Sequence, residues 1–162
     1  LINGIVLRLS NGIGAPLDIN VNCWMLAANA FCRQVVTERK MNITGSNTER
    51  DFIPITSVED LIEFLIDNPH STIDQKIINV GSGVSMSIYE LSNLIAERCS
   101  LLFDFSPEIL INDEHVEKSA LEFEYACDIY AKLNISNTKT LAEEIDQLLL
   151  FCDKEYNSLS AN

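Results

Sequence analysis

The chain has 162 residues, of which 47% are hydrophobic, 22% charged and 7% aromatic, enough for one well-filled core of ordinary globular composition. Its net charge of −13, with Lys and Arg scattered, lacks the clustered cations that grip a phosphate backbone, so no nucleic-acid partner is expected. No apolar run approaches the roughly 18 residues that span a bilayer, and "LINGIVLRLS" lacks the basic flank and cleavage site of a secretory leader. No membrane contact is expected.

The first element read from the sequence is "GIVLRLS" at 4–10, a β-branched run of the kind buried on both faces of a parallel sheet. The chain opens inside this strand without a methionine, as though a longer protein continued upstream. "NGIGAP" breaks the strand. From about Asn22 to Arg39, Met25, Ala28, Phe31, Cys32, Val35 and Val36 recur at three and four, which predicts a helix. "MNIT" and "RDFIPI" are short strand candidates on either side of the Gly45-Ser46-Asn47 turn.

Ser57-Val-Glu-Asp60 reads as the N-cap and first turn of a second helix, with Leu61, Ile62, Leu65 and Ile66 as its buried stripe and Pro69 as its stop. "KIINVGSG" is a strand running into a glycine turn. Ser87-Ile-Tyr-Glu90 is a capping box opening a third helix with Ile88, Leu91, Leu94 and Ile95 on one face. "LLFDF" at 101–105 reads as a strand, 107–124 as an exposed acidic loop, and 126–133 as a short helix. Thr140-Leu-Ala-Glu143 is a second capping box, and Leu141, Ile145, Leu148, Leu149 and Cys152 form the face of the last helix. Residues 157–162 read as a disordered tail. Strands alternating with helices make the chain α/β.

Five cysteines at 23, 32, 99, 127 and 152, odd in number and without C-x-x-C, suggest neither a disulfide framework nor a zinc site. His70 and His115 lie far apart with no ligand cluster, so no metal is expected. A reducing cytoplasm is the natural compartment. The turn "NVGSGVS" follows a strand, but a dinucleotide fingerprint needs a third glycine where Met86 stands, so it reads as a plain βα turn. The residues four after each tyrosine are Asn93, Ile129, Asn134 and Ser160, so no Tyr-x-x-x-Lys dyad is present. No G-x-S-x-G elbow occurs either. Catalytic residues are therefore not expected in this chain.

Two residues remain. Asn11 lies just past the end of a buried strand, in a glycine-rich loop, where α/β sheets bind ligands. Arg50 stands at the head of a strand, where a planar guanidinium could hold a diphosphate through a bidentate fork. The plainer alternatives are that Asn11 caps the turn and that Arg50 pairs with Glu49 or Asp51 on the surface.

Taken together, "VLRLSNGIGAP", "GSNTERDFIPITSVEDLIEFLI", "IINVGSGVSMSIYELSNLIAE", "CDIYAKLNI" and "TLAEEIDQLL" resemble, in order and spacing, the second half of extended short-chain dehydrogenase/reductases. These are the NAD-dependent nucleotide-sugar epimerases and dehydratases, whose segments run LRxxNxYGP, GxGxxxRDFxxVxD, NxGSGxxxSxxEL, D-xx-K-xxx-LG and L-xx-G-L. The chain departs from that pattern at Ile13, Ala15, Asn47 and Pro54, and has no arginine in the 107–124 region.

The resemblance implies the last strands and helices of a Rossmann-like parallel sheet plus a small α/β substrate-binding lobe over residues 1–156. The glycine-rich NAD loop and the Tyr-x-x-x-Lys dyad would lie in a missing N-terminal half. It implies that Asn11 contacts a nucleotide-sugar substrate, that Arg50 holds its diphosphate, and that Leu9 and Ser10 lie near the nicotinamide of NAD. The parent's oligomer stays open, with a homodimer as one expectation. The alternative function is a non-catalytic nucleotide-sugar binding or assembly module.

Overall fold

The computed structural model describes residues 4–68, 76–112, 124–135 and 139–157. Seven strands and five helices alternate along it: β1 (Val6–Leu9), β2 (Asn11–Ile13), α1 (Ala27–Glu38), β3 (Lys40–Ile43), β4 (Glu49–Pro54), α2 (Ile55–Asp67), β5 (Ile77–Val80), β6 (Ser85–Ser87), α3 (Ile88–Phe103), β7 (Glu108–Ile111), α4 (Ile129–Leu133) and α5 (Leu141–Cys152), the last running into a π-turn at Asp153–Asn157. They form three small sheets. β1 lies parallel to β5, β3 lies parallel to β7, and β4 is paired with parallel β2 on one side and antiparallel β6 on the other.

Two apolar clusters hold these pieces. The larger gathers Phe31, Cys32 and Val35 of α1, Leu91, Ile95 and Cys99 of α3, and Ile145, Leu148, Leu149 and Cys152 of α5 over Met41 and Ile43 of β3. The smaller packs Val58 and Leu61 of α2 and Ile129 of α4 against Ile78 and Val80 of β5. β4 joins the two, because successive strand side chains point to opposite faces: Phe52 enters the first cluster and Ile53 the second. Each fully buried Leu or Ile contributes about 1.5–3 kcal/mol. An Arg98–Asp146 fork, 2.7 Å and 2.5 Å, ties α3 to α5.

Local signals placed several boundaries well. Ser87 caps α3 and Thr140 caps α5, each in a reciprocal capping box, with Glu90 and Glu143 in the partner position. The backbone N–H and hydroxyl of Ser87 hold the Glu90 carboxyl below its ordinary range, and those of Thr140 do the same for Glu143.

Elsewhere tertiary contacts overrode the sequence pattern. α1 starts at Ala27, and Met25, expected on its buried stripe, is 88% exposed in the preceding turn. α2 starts at Ile55 after Pro54, so Ser57 lies inside the helix and its buried hydroxyl has no hydrogen-bond partner. Of α2's expected stripe Leu61 is buried, whereas Ile62 and Ile66 are exposed. The segment 101–105 is no strand: α3 continues to Phe103 and stops at Asp104, whose φ of 56° is left-handed. Within 107–124, Glu108–Ile111 form β7, where pairing with β3 supplies the partner that an isolated loop lacks. β1 is not buried on both faces, because among the described residues it pairs with β5 alone, leaving Val6 and Leu9 about half exposed. His70, His115, Pro69, most of the acidic loop and the tail beyond Asn157 lie outside the described residues.

Candidate functional site

Residues just beyond the carboxyl ends of parallel β1 and β5, Asn11 and Ser82–Gly83, bond to Asp51 in the middle of β4, and such strand ends are where open α/β sheets bind ligands. Leu9 closes β1 and is 48% exposed. Ser10 donates its amide to the Val80 carbonyl at 2.9 Å, while its enclosed hydroxyl has no hydrogen-bond partner. Asn11 does not sit in a loop: it opens β2, in register with Phe52 of β4. Its exposed side chain turns back, and Nδ2 donates to the Asp51 carbonyl at 2.9 Å.

Strand alternation separates the two charges at 50 and 51. Arg50 points to solvent and donates Nη1 to the Glu49 carbonyl at 2.7 Å. Asp51 points inward and is fully buried. Surface pairing of Arg50 with Asp51 therefore fails, since the two side chains leave β4 on opposite faces. The Asp51 carboxylate instead accepts from the Ser82 amide at 2.9 Å, the Ser82 hydroxyl at 2.9 Å and the Gly83 amide at 2.7 Å.

Those bonds decide what the Gly81-Ser82-Gly83 turn can do. Backbone amides that could cradle a pyrophosphate are already occupied by a protein carboxylate, so the turn does not fit a dinucleotide phosphate. Gly81 lets the strands close on this point: a Cβ there would lie 2.7 Å from Asp51 Oδ1 and 2.6 Å from the Tyr125 ring. Asp51 was legible from the sequence only as a neighbour of Arg50. The signal that would have found it is an acid at an inward register of a strand, directly before the buried pair Phe52-Ile53.

The segment 125–127 fastens the base of the site. Tyr125 donates its hydroxyl to the Arg8 carbonyl at 2.7 Å, and Asn79 donates Nδ2 to the Ala126 carbonyl at 3.1 Å. Cys127 donates to the Asn79 carbonyl and accepts from the Gly81 amide, each at 3.3 Å. An open cleft of about 820 Å³ runs beside this segment, past Arg8, Lys76, Asn79, Asp128 and Lys132. It contains none of Leu9, Ser10, Asn11 or Arg50. Lys132 there pairs with Asp128 at 2.7 Å.

No group of three or more His, Cys, Asp or Glu among the described residues could hold a metal ion. All five cysteines are free thiols. Burial pushes Cys99 up to about 11 and Cys152 up to about 12, and Cys32 rises as well for the same reason, which keeps these core thiols protonated and unreactive at neutral pH. No helix among the described residues is long and apolar enough to cross a membrane.

The fold recurs in solved structures. RMD from Pseudomonas aeruginosa, complexed with NADPH, superimposes with a TM-score of 0.66 at 17% identity, over 93% of this chain and 48% of its own. UDP-glucose 4-epimerase from Thermotoga maritima, with UDP-glucose, gives 0.66 at 17% identity over 93% of this chain and 46% of its own. The chain shares the fold of part of each of these structures. UDP-N-acetylglucosamine 4-epimerase from Methanobrevibacter ruminantium, in complex with UDP-N-acetylmuramic acid, agrees at a TM-score of 0.65 and 19% identity over 91% of this chain and 45% of its own. The chain thus spans a little under half the length of the structures it matches. No protein-family model and no curated protein matches it. The α/β layout with parallel strand pairs is the Rossmann-like architecture of these neighbours.

Proposed function

We propose that residues 1–156 are the C-terminal, substrate-binding part of an NAD-dependent nucleotide-sugar epimerase or dehydratase, an isomerase or lyase when whole. What supports this reading is the likeness, over more than nine-tenths of the chain, to just under half of enzymes solved with NADPH or UDP-sugars. In such an enzyme NAD, when bound, supplies transient removal and return of a hydride, while protein groups position the sugar. Asn11 would hold the nucleotide sugar, Arg50 its diphosphate, and Leu9 and Ser10 would face the nicotinamide, with most NAD contacts supplied by the N-terminal half. Cytoplasmic location and a homodimeric parent belong to the same reading. The chain alone, lacking the Tyr-x-x-x-Lys dyad, is expected to turn over no sugar nucleotide.

The test is Arg50→Ala in the intact parent with UDP-glucose as probe. Loss of a charge-assisted bidentate contact costs about 2–4 kcal/mol of affinity. An unchanged dissociation constant returns Arg50 to a surface role. The rival reading, a non-catalytic binding or assembly module, predicts a native protein of the chain's own mass, whereas the enzyme reading predicts a species roughly twice as large.

A further inference from the structure

We infer that Asp51 is the positioning residue of this site: its buried carboxylate, clamped by Ser82 and Gly83, fixes the peptide whose carbonyl orients the Asn11 side chain. The inference rests on the proposed binding role of Asn11 and adds a residue that the resemblance does not assign. Asp51 is fully buried, and both carboxylate oxygens accept hydrogen bonds from the β5–β6 turn. A buried carboxylate is retained only where donors replace its water, and bonds to a charged acceptor are the stronger kind. Here every named donor comes from one short turn. The carboxylate therefore locks β4 to the end of β5 at a single register.

That lock reaches Asn11 through the main chain. The Asp51 carbonyl accepts from Asn11 Nδ2, so the orientation of the same residue's peptide sets the pose of an otherwise exposed amide. With Nδ2 held inward, Oδ1 is left as the group to meet a ligand hydroxyl. Arg50, one residue earlier, leaves the strand on the opposite face and is held by the Glu49 carbonyl instead. One buried carboxylate thus positions the Asn11 amide without touching a ligand.

Asp51→Asn tests this with minimal change of volume. The new NH2 must face an N–H or O–H donor, so at least one bond of the clamp is lost. In the 162-residue chain, hydrogen exchange of the Asn11 side-chain amide, followed by NMR, should speed up tenfold or more in Asp51→Asn. Ser82→Ala, which deletes one donor and keeps the fold, should shift the same signal less. Ser87→Ala, a destabilisation at the cap of α3, should leave it unmoved. In parallel, UDP serves as the binding probe: Asp51→Asn should weaken it about tenfold, with Asn11→Ala adding little on top.

An unchanged Asn11 amide in Asp51→Asn overturns the inference, as does full additivity with Asn11→Ala. If Asp51→Asn does not fold, an unchanged amide in Ser82→Ala overturns it instead. If the wild-type chain and its intact parent both fail to bind UDP, the proposed substrate fails, while the exchange experiment still decides the role of Asp51.

Discussion

Glu144 offers the sharpest test of how the two apolar clusters are joined. This α5 side chain is 1% exposed, and its Oε1 accepts from Thr56 Oγ1 at 2.7 Å and from the Thr56 amide at 3.3 Å. Thr56 is in the first turn of α2, whose N-cap, Pro54, has no side chain able to accept. A carboxylate on another helix therefore caps α2 and also meets the positive end of its dipole. Removing a cap costs about 0.5–2 kcal/mol, and stranding a part-buried hydroxyl that had bonded a charged acceptor costs about 1–3 kcal/mol. Relief of the buried charge offsets part of this. Glu144→Ala should then lose about 2–3 kcal/mol, and Glu144→Gln, which keeps the acceptor, about 1 kcal/mol or less. For a chain of this length the Ala variant should melt roughly 5–10 °C lower. Urea denaturation of Glu144→Ala, Thr56→Val and the double variant should give a coupling of about 1 kcal/mol or more. Additive losses, or a melting temperature for Glu144→Ala within a degree of wild type, would refute the tertiary cap.

Other outcomes follow from the same packing. A Cβ at Gly14 would run into the Ile55 side chain, with the rigid Ile55 Cβ only 2.9 Å away and Glu144 Oε2 at 3.3 Å. Gly14→Ala should cost about 1–3 kcal/mol by overpacking, and an unshifted urea midpoint would contradict it. Ser87→Ala should cost about 0.5–2 kcal/mol by opening the α3 capping box, with amide exchange accelerating first at Glu90. Since the folded Glu90 carboxyl lies low, its share of stability is present above the ordinary carboxylate range and is lost as pH falls through the folded value. The core thiols give the opposite sign at alkaline pH. Their folded values, about 11 for Cys99 and about 12 for Cys152, lie above the unfolded value of about 8.5, so their contribution is intact below that pH and is lost as pH rises towards the folded values. Each thiol should remove about 1.4 kcal/mol per pH unit within the window, and equal urea midpoints at pH 8.5 and 10.5 would refute this.

What the sequence determined by itself is whatever is encoded within a few residues. The capping boxes at Ser87 and Thr140 fix where α3 and α5 begin, because both partners of each box lie three positions apart. The apolar stripes of those helices were legible for the same reason. Arg50 and Asn11 could be picked out by residue type and place, but not how they are held. Tertiary structure alone decided that α2 begins at Ile55, since its cap arrives from Glu144, 88 residues away. It decided that 108–111 is a strand, because only β3 makes it one. It also turned Asp51 from a surface partner of Arg50 into the buried anchor of the Ser82–Gly83 turn, 31 and 32 residues distant. Hydrogen bonds and periodicity between near neighbours can be read from a string of letters; which distant donor fills a buried acceptor depends on the packed chain.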